Sequence, residues 1–524
     1  MLRLYIMIFS LLLAIGWAPS HAERTAVQTF TVNKLKLSGV KNHPEHGISR
    51  KALQIKLNEW REALYPEKKL SLDQIKDLAY RVSKYYQDLG FSFVTASLPR
   101  QKVRRGTLVI EVKEDKLSDV SVRNVDYGQQ RDIAYEFRDM IGKAVYKPDL
   151  EEPILLLNDN PNREVFAYFS RGKKKGETRL NLSVTETQSN GLRLGVNNFG
   201  AQSTGKDQWW LATNIKNPFG WNDAINVHFN QALENDKNIS GVLSYDKYTG
   251  PRNSYSYSLS RNEFQLGDDL ASLGLEGFYT TARFQYKHKS KRTFSESNNH
   301  IYSFDYRQSE LTSKLVTTNF DQNNSAIIGS YQYASTNYQI LYGDFFTKSL
   351  QASGIFLTEE DKQLSEDAFI KLNGYFQSGI NIGSFIPGSH SRITSNLALQ
   401  YSPQTLPSSD KSSLTSRSGV RAFESGVFSA DQAAIFQIKA SSAFNTSIGN
   451  VEPYLFYDHA MGIRKANGQE IKAELSGYGT GLNYKISDWL KLGISYATSG
   501  AAKIGELERE AQSLFSVSLE SQVF

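Results

Sequence analysis

The chain contains no cysteine. Disulfide staples, thiol chemistry and thiolate metal sites are therefore closed to it, and any exported form must rest on a packed core or a closed barrel. Methionine is scarce, with 4 residues. Beyond the N-terminus no apolar run approaches the ~20 residues of a spanning helix. The sequence holds no His-Glu-x-x-His, no Gly-x-Ser-x-Gly and no phosphate loop, and its 8 histidines are dispersed. Nothing here points to an enzyme, a metal or a cofactor. A formal net charge of +6 is small for 524 residues. The one dense basic run, Arg171 to Lys175, falls in an expected hairpin turn between Phe169 and Leu180, so the charges read as solvated surface and no nucleic-acid partner is expected.

What is present begins with export. Met1-Leu2-Arg3 leads into an apolar run from Leu4 to Ile15, and Trp17 to Ala22 ends in a small-x-small pattern at Ser20 and Ala22. That predicts a signal peptide over residues 1–22 and a mature start near Glu23; the run is too short for a membrane anchor.

Tyrosine (28) and phenylalanine (29) are plentiful, yet only 40% of residues are hydrophobic. Without a spanning helix, such a chain can enter a membrane only as a closed barrel, because lipid offers backbone amides no partner. From Gly191 onward the residues alternate. Leu490, Leu492, Ile494 and Tyr496 share one face, against Lys491, Gly493, Ser495 and Ala497. Phe278, Ala282, Phe284 and Tyr286 oppose Tyr279, Arg283, Gln285 and Lys287, and Tyr478, Leu482 and Tyr484 oppose Gly477, Gly479, Gly481, Asn483 and Lys485. Residues 188–524 have room for about 16 strands at roughly 20 residues per strand and turn, enough for an aqueous lumen. Alternation alone also fits a soluble sandwich or propeller; the export signal, the aromatic content and the terminal Phe524 favour the membrane. Phe515, Val517, Leu519 and Val523 lie in the opposite register to Phe524, which predicts either a bulge or a weak terminal signal.

The N-terminal third reads as two β-α-α-β-β units. In the first, a strand over Phe30–Leu37 precedes a helix from Ser49 to Trp60. A second helix is framed by a capping box at Ser71 and Gln74 and a stop at Gly90, and strands Phe91–Leu98 and Thr107–Val112 close the unit. The order recurs between Ser118 and Glu186: a strand near Val120–Val125, a helix over Asp132–Ile141, a helix from Pro148, and strands Glu164–Phe169 and Arg179–Val184.

Gly90-Phe91-Ser92-Phe93-Val94-Thr95-Ala96, Leu98-Pro99-Arg100-Gln101, and Gly106 followed by Leu108, Ile110, Val112 and Glu114 resemble the polypeptide-transport-associated (POTRA) domain of two-partner-secretion transporters. Leu157-Asn158-Asp159-Asn160-Pro161 with Gly172, Gly176 and Glu186 is similar to the second such domain. Farther on, Leu406-Pro407-Ser408-Ser409-Asp410-Lys411 and Gly419-Val420-Arg421-Ala422-Phe423 resemble the long in-folded loop of that family, whose tip carries a Val-Arg-Gly-Tyr type motif. Phe456-Tyr457-Asp458-His459-Ala460 resembles its inward-facing Phe-x-Asp-x-Gly strand motif. The chain is thus identified as resembling a two-partner-secretion outer-membrane transporter of the haemolysin-secretion/activation ShlB/FhaC/HecB type.

The resemblance implies a mainly β fold: a transmembrane antiparallel barrel of about 16 strands over 188–524, with an inward loop near 404–430, preceded by POTRA domains at 29–115 and 116–187. It implies an outer-membrane location with periplasmic POTRA domains and a lipid-embedded barrel, working as a monomer. It implies that Arg421, flanked by Val420, Ala422 and Phe423, pairs with Asp458 beside Phe456. It also implies that a groove at Tyr86, Val94, Ala96 and Leu98 takes an unfolded cargo strand, the alternative being that these residues, Tyr86 and Val94 above all, simply belong to the core. The implied partner is a large secreted exoprotein, an adhesin, haemolysin or contact-dependent toxin encoded nearby, exported without ATP. An outer-membrane protein insertase is the alternative, and a solute porin a weaker one. Only Glu23–Gln28 precede the first strand, so no N-terminal plug is expected and closure falls to the loop. A glycine-to-alanine change at position 422 raises the question whether its backbone needs positive φ.

Overall fold

The computed structural model describes residues 29–523 apart from 126, 187–189, 235–236, 314–321, 339–343, 359–365, 385–386 and 467. The expected signal peptide, the short segment behind it and Phe524 lie outside the described residues. Two compact units divide the chain: residues up to Asp119 with Met140–Pro148 and Ser170–Arg179, and Val120–Asp139, Asp149–Phe169 and Leu180 onward.

In the first module the single expected strand is two, β1 (Thr29–Thr31) and β2 (Lys34–Ser38). The break comes where Val32 N donates to Lys68 O and Asn33 N to Gly106 O, so β1 leaves to pair with β3 (Lys69–Ser71). Helix α1 (Arg50–Leu64) starts on Ser49, whose hydroxyl accepts from Ala52 N. Helix α2 (Leu72–Asp88) carries the full capping box: Gln74 N donates to Ser71 Oγ, and Ser71 N donates back to Gln74 Oε1. Its end turns through Gly90 at φ +97°, a conformation that favours glycine. Strands β4 (Val94–Ser97) and β5 (Thr107–Glu114) complete a sheet ordered β2-β5-β4, with β2 parallel to β5 and β4 antiparallel at the edge. Leu53, Leu57, Ile75, Leu78, Val82 and Ile110 fill the space between helices and sheet and are all buried.

The second module repeats the order with β6 (Lys116–Arg123), α3 (Tyr127–Tyr135), α4 (Lys147–Asn158), β7 (Arg163–Arg171) and β8 (Glu177–Glu186), in a sheet ordered β6-β8-β7. The expected helix at 132–141 lies earlier, and its tail is a 3-10 turn at Arg138–Met140.

Sixteen antiparallel strands among the described residues close into a barrel, from Gly191–Asn197 to Ser513–Gln522, the last pairing with the first over Ser518↔Asn197 to Gln522↔Arg193. No helix among the described residues is long and apolar enough to cross a membrane. The outer face is apolar: across the last two strands Leu492 sits opposite Leu519, Ile494 opposite Val517 and Tyr496 opposite Phe515. That register runs unbroken from Ser513 to Ser521, so no bulge falls in this stretch.

Candidate functional site

The site forms where one long connection returns into the barrel. The eleventh barrel strand, Ser389–Tyr401, and the twelfth, Gln432–Thr446, are joined by residues 402–431. A two-residue ladder, Ser412–Ser413 against Ser429–Ala430, makes this loop a hairpin. Its tip folds back again as Val420 N donates to Leu414 O and Val427 N to Thr415 Oγ1. Leu414, Val420, Ala422, Phe423 and Phe428 are buried with Phe456, Ala460, Leu475 and Ala497. On the thirteenth strand, Gly449–Ala466, Phe456 and Asp458 are buried while their neighbours Leu455 and Tyr457 are exposed. Strand alternation thus puts the loop on the face opposite lipid, in the lumen.

At the tip, Arg421 grips Asp458 with a fork: Nε donates to Oδ2 at 2.8 Å, Nη2 to Oδ1 at 2.6 Å, and the Arg421 backbone N–H to Oδ2 at 3.0 Å. Asp458 is fully buried, and the guanidinium lies 3.7 Å over the Phe456 ring. Three donors on one carboxylate and an aromatic floor fix both direction and register, which a lysine could not do. Gln437 Nε2 adds a bond to Gly419 O at 2.8 Å. Next to the fork, a Cβ built on Gly477 would lie 2.7 Å from the Ala422 Cβ. The small residue that the tip demands is therefore on the barrel wall, in the fourteenth strand, Gln469–Lys485. Ala422 itself is not among the four described non-glycine residues with positive φ, so alanine needs no special backbone there.

The expected cargo groove of the first module is corrected in part. Tyr86 and Val94 are 0% and 5% exposed, inside the module's core. The reason is that α2 lies over this face of the sheet, so apolar residues on both meet each other. Ala96 and Leu98 are partly exposed at the edge, and Ala96 N is held by Ser83 Oγ at 2.7 Å.

Three carboxylates that the sequence reading left without a role also act here. Asp410, in the loop, is shared by Arg307 Nη2 at 2.5 Å and Lys371 Nζ at 2.8 Å. Asp431, at the loop's exit, accepts Leu406 N and Lys465 N, each at 2.7 Å. Asp159, after α4, meets Lys289 Nζ at 2.9 Å and Arg292 Nε at 3.0 Å at the barrel rim. Burial opposes the Asp159 charge, but Arg292 and Lys289 hold its carboxyl below the usual range. Around it, Asn160 Nδ2 donates to Asn222 Oδ1 at 2.7 Å and Asn162 Nδ2 to Asp223 O at 2.8 Å. The Asn158-Asp159-Asn160-Pro161 stretch is thus a hook onto the barrel's rim. The sequence marked this stretch only by its likeness to the second POTRA domain, which does not say what it holds.

A polar-lumen barrel, an in-folded loop pinned to its wall and a POTRA module hooked to its rim define the class of outer-membrane barrels that handle polypeptide chains. The family model for haemolysin secretion/activation protein ShlB/FhaC/HecB matches residues 176–484, more than half the chain, and that for the ShlB-type POTRA domain matches 30–115. The chain belongs to the ShlB/FhaC/HecB family of haemolysin secretion/activation proteins. It is 23% identical over 459 residues to the heme/hemopexin transporter protein HuxB of Haemophilus influenzae, covering 83% of this chain and 78% of that one. It is 23% identical over 414 residues to the hemolysin transporter protein ShlB of Serratia marcescens, covering 75% and 70%. The solved structure of CdiB from Escherichia coli superposes with a TM-score of 0.69 at 16% identity, covering 97% of this chain and 93% of that one, which shows a shared fold. The chain is an outer-membrane protein transporter with periplasmic POTRA domains and a large secreted protein as its kind of partner.

Proposed function

We propose that this protein captures an unfolded exoprotein in the periplasm through its POTRA domains and passes it outward through the barrel lumen without ATP. Residues 29–115 and 116–187 are the two POTRA domains, and 188–524 is the lipid-embedded barrel, acting as a monomer. The cargo is an adhesin, haemolysin or contact-dependent toxin encoded nearby. The observation that carries the reading is the loop tip in the lumen, pinned by the Arg421–Asp458 fork. A porin needs no such removable obstruction, whereas a protein-conducting channel must be shut between cargoes. An extended chain entering at the edge of a POTRA sheet adds as a strand through its backbone, which suits a cargo recognised before it folds. Val420, Ala422, Phe423 and Phe456 seat the fork, and Ala96 and Leu98 mark the accessible part of the cargo edge.

The test is export of the neighbouring large protein in cells with and without this chain, and with Arg421→Ala. Export should require the chain and fall more than tenfold in Arg421→Ala, because stripping one partner from a buried pair costs about 3–5 kcal/mol. The barrel should still assemble, judged by heat-modifiable migration. Unchanged export without the chain, or failure of other outer-membrane proteins in its place, would move the assignment to an insertase.

A further inference from the structure

The loop is fastened twice, to different parts of the barrel wall. Its tip meets the thirteenth and fourteenth strands through Arg421, Asp458 and Gly477. Its base meets another arc. Leu406, 1% exposed, packs with Ala326, Ile328, Ile355 and Phe369, which belong to the eighth, ninth and tenth strands, Gln322–Tyr338, Phe345–Leu357 and Ala368–Gly383. Four residues on, Asp410 bridges Arg307 of the seventh strand, Glu296–Ser313, and Lys371 of the tenth. The Asp410 and Arg307 side chains are 3% and 7% exposed, and Lys371 is 16% exposed. Asp305, two residues from Arg307, is already engaged by a two-pronged bond from Arg283 at 2.7 and 2.8 Å. Asp410 therefore supplies the negative charge that two lumenal cations share. A second contact closes the base, since Gln400 Nε2 of the eleventh strand donates to Asp410 O at 3.1 Å.

We propose that Asp410, with Arg307 and Lys371, is a second and independent fastening of the loop, and that the tip swings clear of the lumen about this fixed base while cargo passes. The swing rests on the export function proposed above; the double fastening does not. The two stations share no side chain, and each joins its own hydrophobic cluster. Breaking one therefore leaves the other's contacts in place. A base held on the seventh to tenth strands also decides which side of the lumen a released tip vacates: the side of the thirteenth and fourteenth strands. Asp410 is on this account a positioning residue, setting the path without gripping the cargo.

The chain's lack of cysteine makes the test clean, because any introduced thiol is the single one present. Val420→Cys reports the tip and Leu406→Cys the base, both buried in the resting state. Each is placed in the full-length protein, alone and with Arg421→Ala or Asp410→Asn, and labelled on intact cells with a water-soluble maleimide. Arg421→Ala should raise labelling at Val420→Cys by at least about tenfold, as loss of a buried pair's partner predicts, and leave Leu406→Cys protected. Asp410→Asn should expose Leu406→Cys. Should Asp410→Asn fail to assemble, Lys371→Met removes one of the two ion pairs and should expose the base to a smaller extent. Equal exposure of both thiols in Arg421→Ala, or a protected Leu406→Cys in both base variants, would overturn the double fastening. With exported cargo present, Val420→Cys should label faster and Leu406→Cys should not; exposure of both would overturn the swing alone. Failed export in every strain would count against the export reading and leave the labelling result standing.

Discussion

The first POTRA module buries apolar side chains almost alone, whereas the barrel interior buries charged side chains beside its apolar ones. Inside the module, Leu57, Leu70, Ile75, Leu78, Val82 and Ile110 are at 0% exposure, a dry core of apolar side chains. Inside the barrel, the buried set includes Asp305, Arg307, Asp410, Asp431 and Asp458. The difference teaches where stability and function reside. The module is held by removal of apolar surface from water, about 1.5–3 kcal/mol for each fully buried large aliphatic side chain. The barrel is held by its closed backbone ladder, which leaves its interior side chains free to serve as fasteners. Damage to the module's core should therefore unfold it. Damage to the barrel's buried charges should release a loop and leave the barrel standing.

That contrast can be broken or sharpened in order of expected effect. Deletion of residues 29–114 should abolish export while the barrel still assembles and conducts; export at the parental level would remove the adaptor role altogether. Leu78→Ala should destabilise the first module by about 2–5 kcal/mol, seen as a lower urea midpoint for protease cleavage within it in the full-length protein, because a fully buried leucine leaves a cavity. If cleavage in the barrel loops shifts as much as in the module, the two do not unfold separately. Gly477→Ala should lower export several-fold with an unchanged barrel, since the new methyl meets Ala422 and must push the tip aside; unimpaired export would show that the tip's seating is tolerant.

The smallest effect concerns pH. Asp159 has its pKa lowered in the folded protein, so it binds its proton more readily when unfolded. Its contribution is therefore present above the unfolded value, about 3.9, and is lost as pH falls through the lower folded one. Protease resistance at the α4–rim junction should drop over that acidic window in the parent and show no such step in Asp159→Asn. Parallel acid curves for the two proteins would mean that the Lys289 and Arg292 contacts hold nothing there.

Much of this was legible in the residues because it is local or repeated. The capping box at Ser71 and Gln74 needs only three residues' spacing, and the two faces of Leu490–Ala497 need only alternation, so both can be read without knowing what lies nearby. Arg421 and Asp458 were legible in a different way: 37 residues apart, they were joined by the family motifs around each, and their contact belongs to the barrel's geometry. Tyr86 and Val94 show the opposite case, since an apolar residue beside a helix and an edge looks the same in sequence whether it lines a groove or fills a core. Packing decided that it fills a core.

The sequence by itself determined the class of fold, because periodicity, caps and turn residues act over a few positions of chain. Only the tertiary structure decided that Asp410 reaches Arg307, 103 residues away, that Asp159 hooks onto Lys289 and Arg292, and that Gly477 makes room for Ala422. Those contacts depend on which strands a closed barrel places around one lumen. A buried charge takes whatever counter-charge that closure brings within reach, and spacing along the chain carries no record of it.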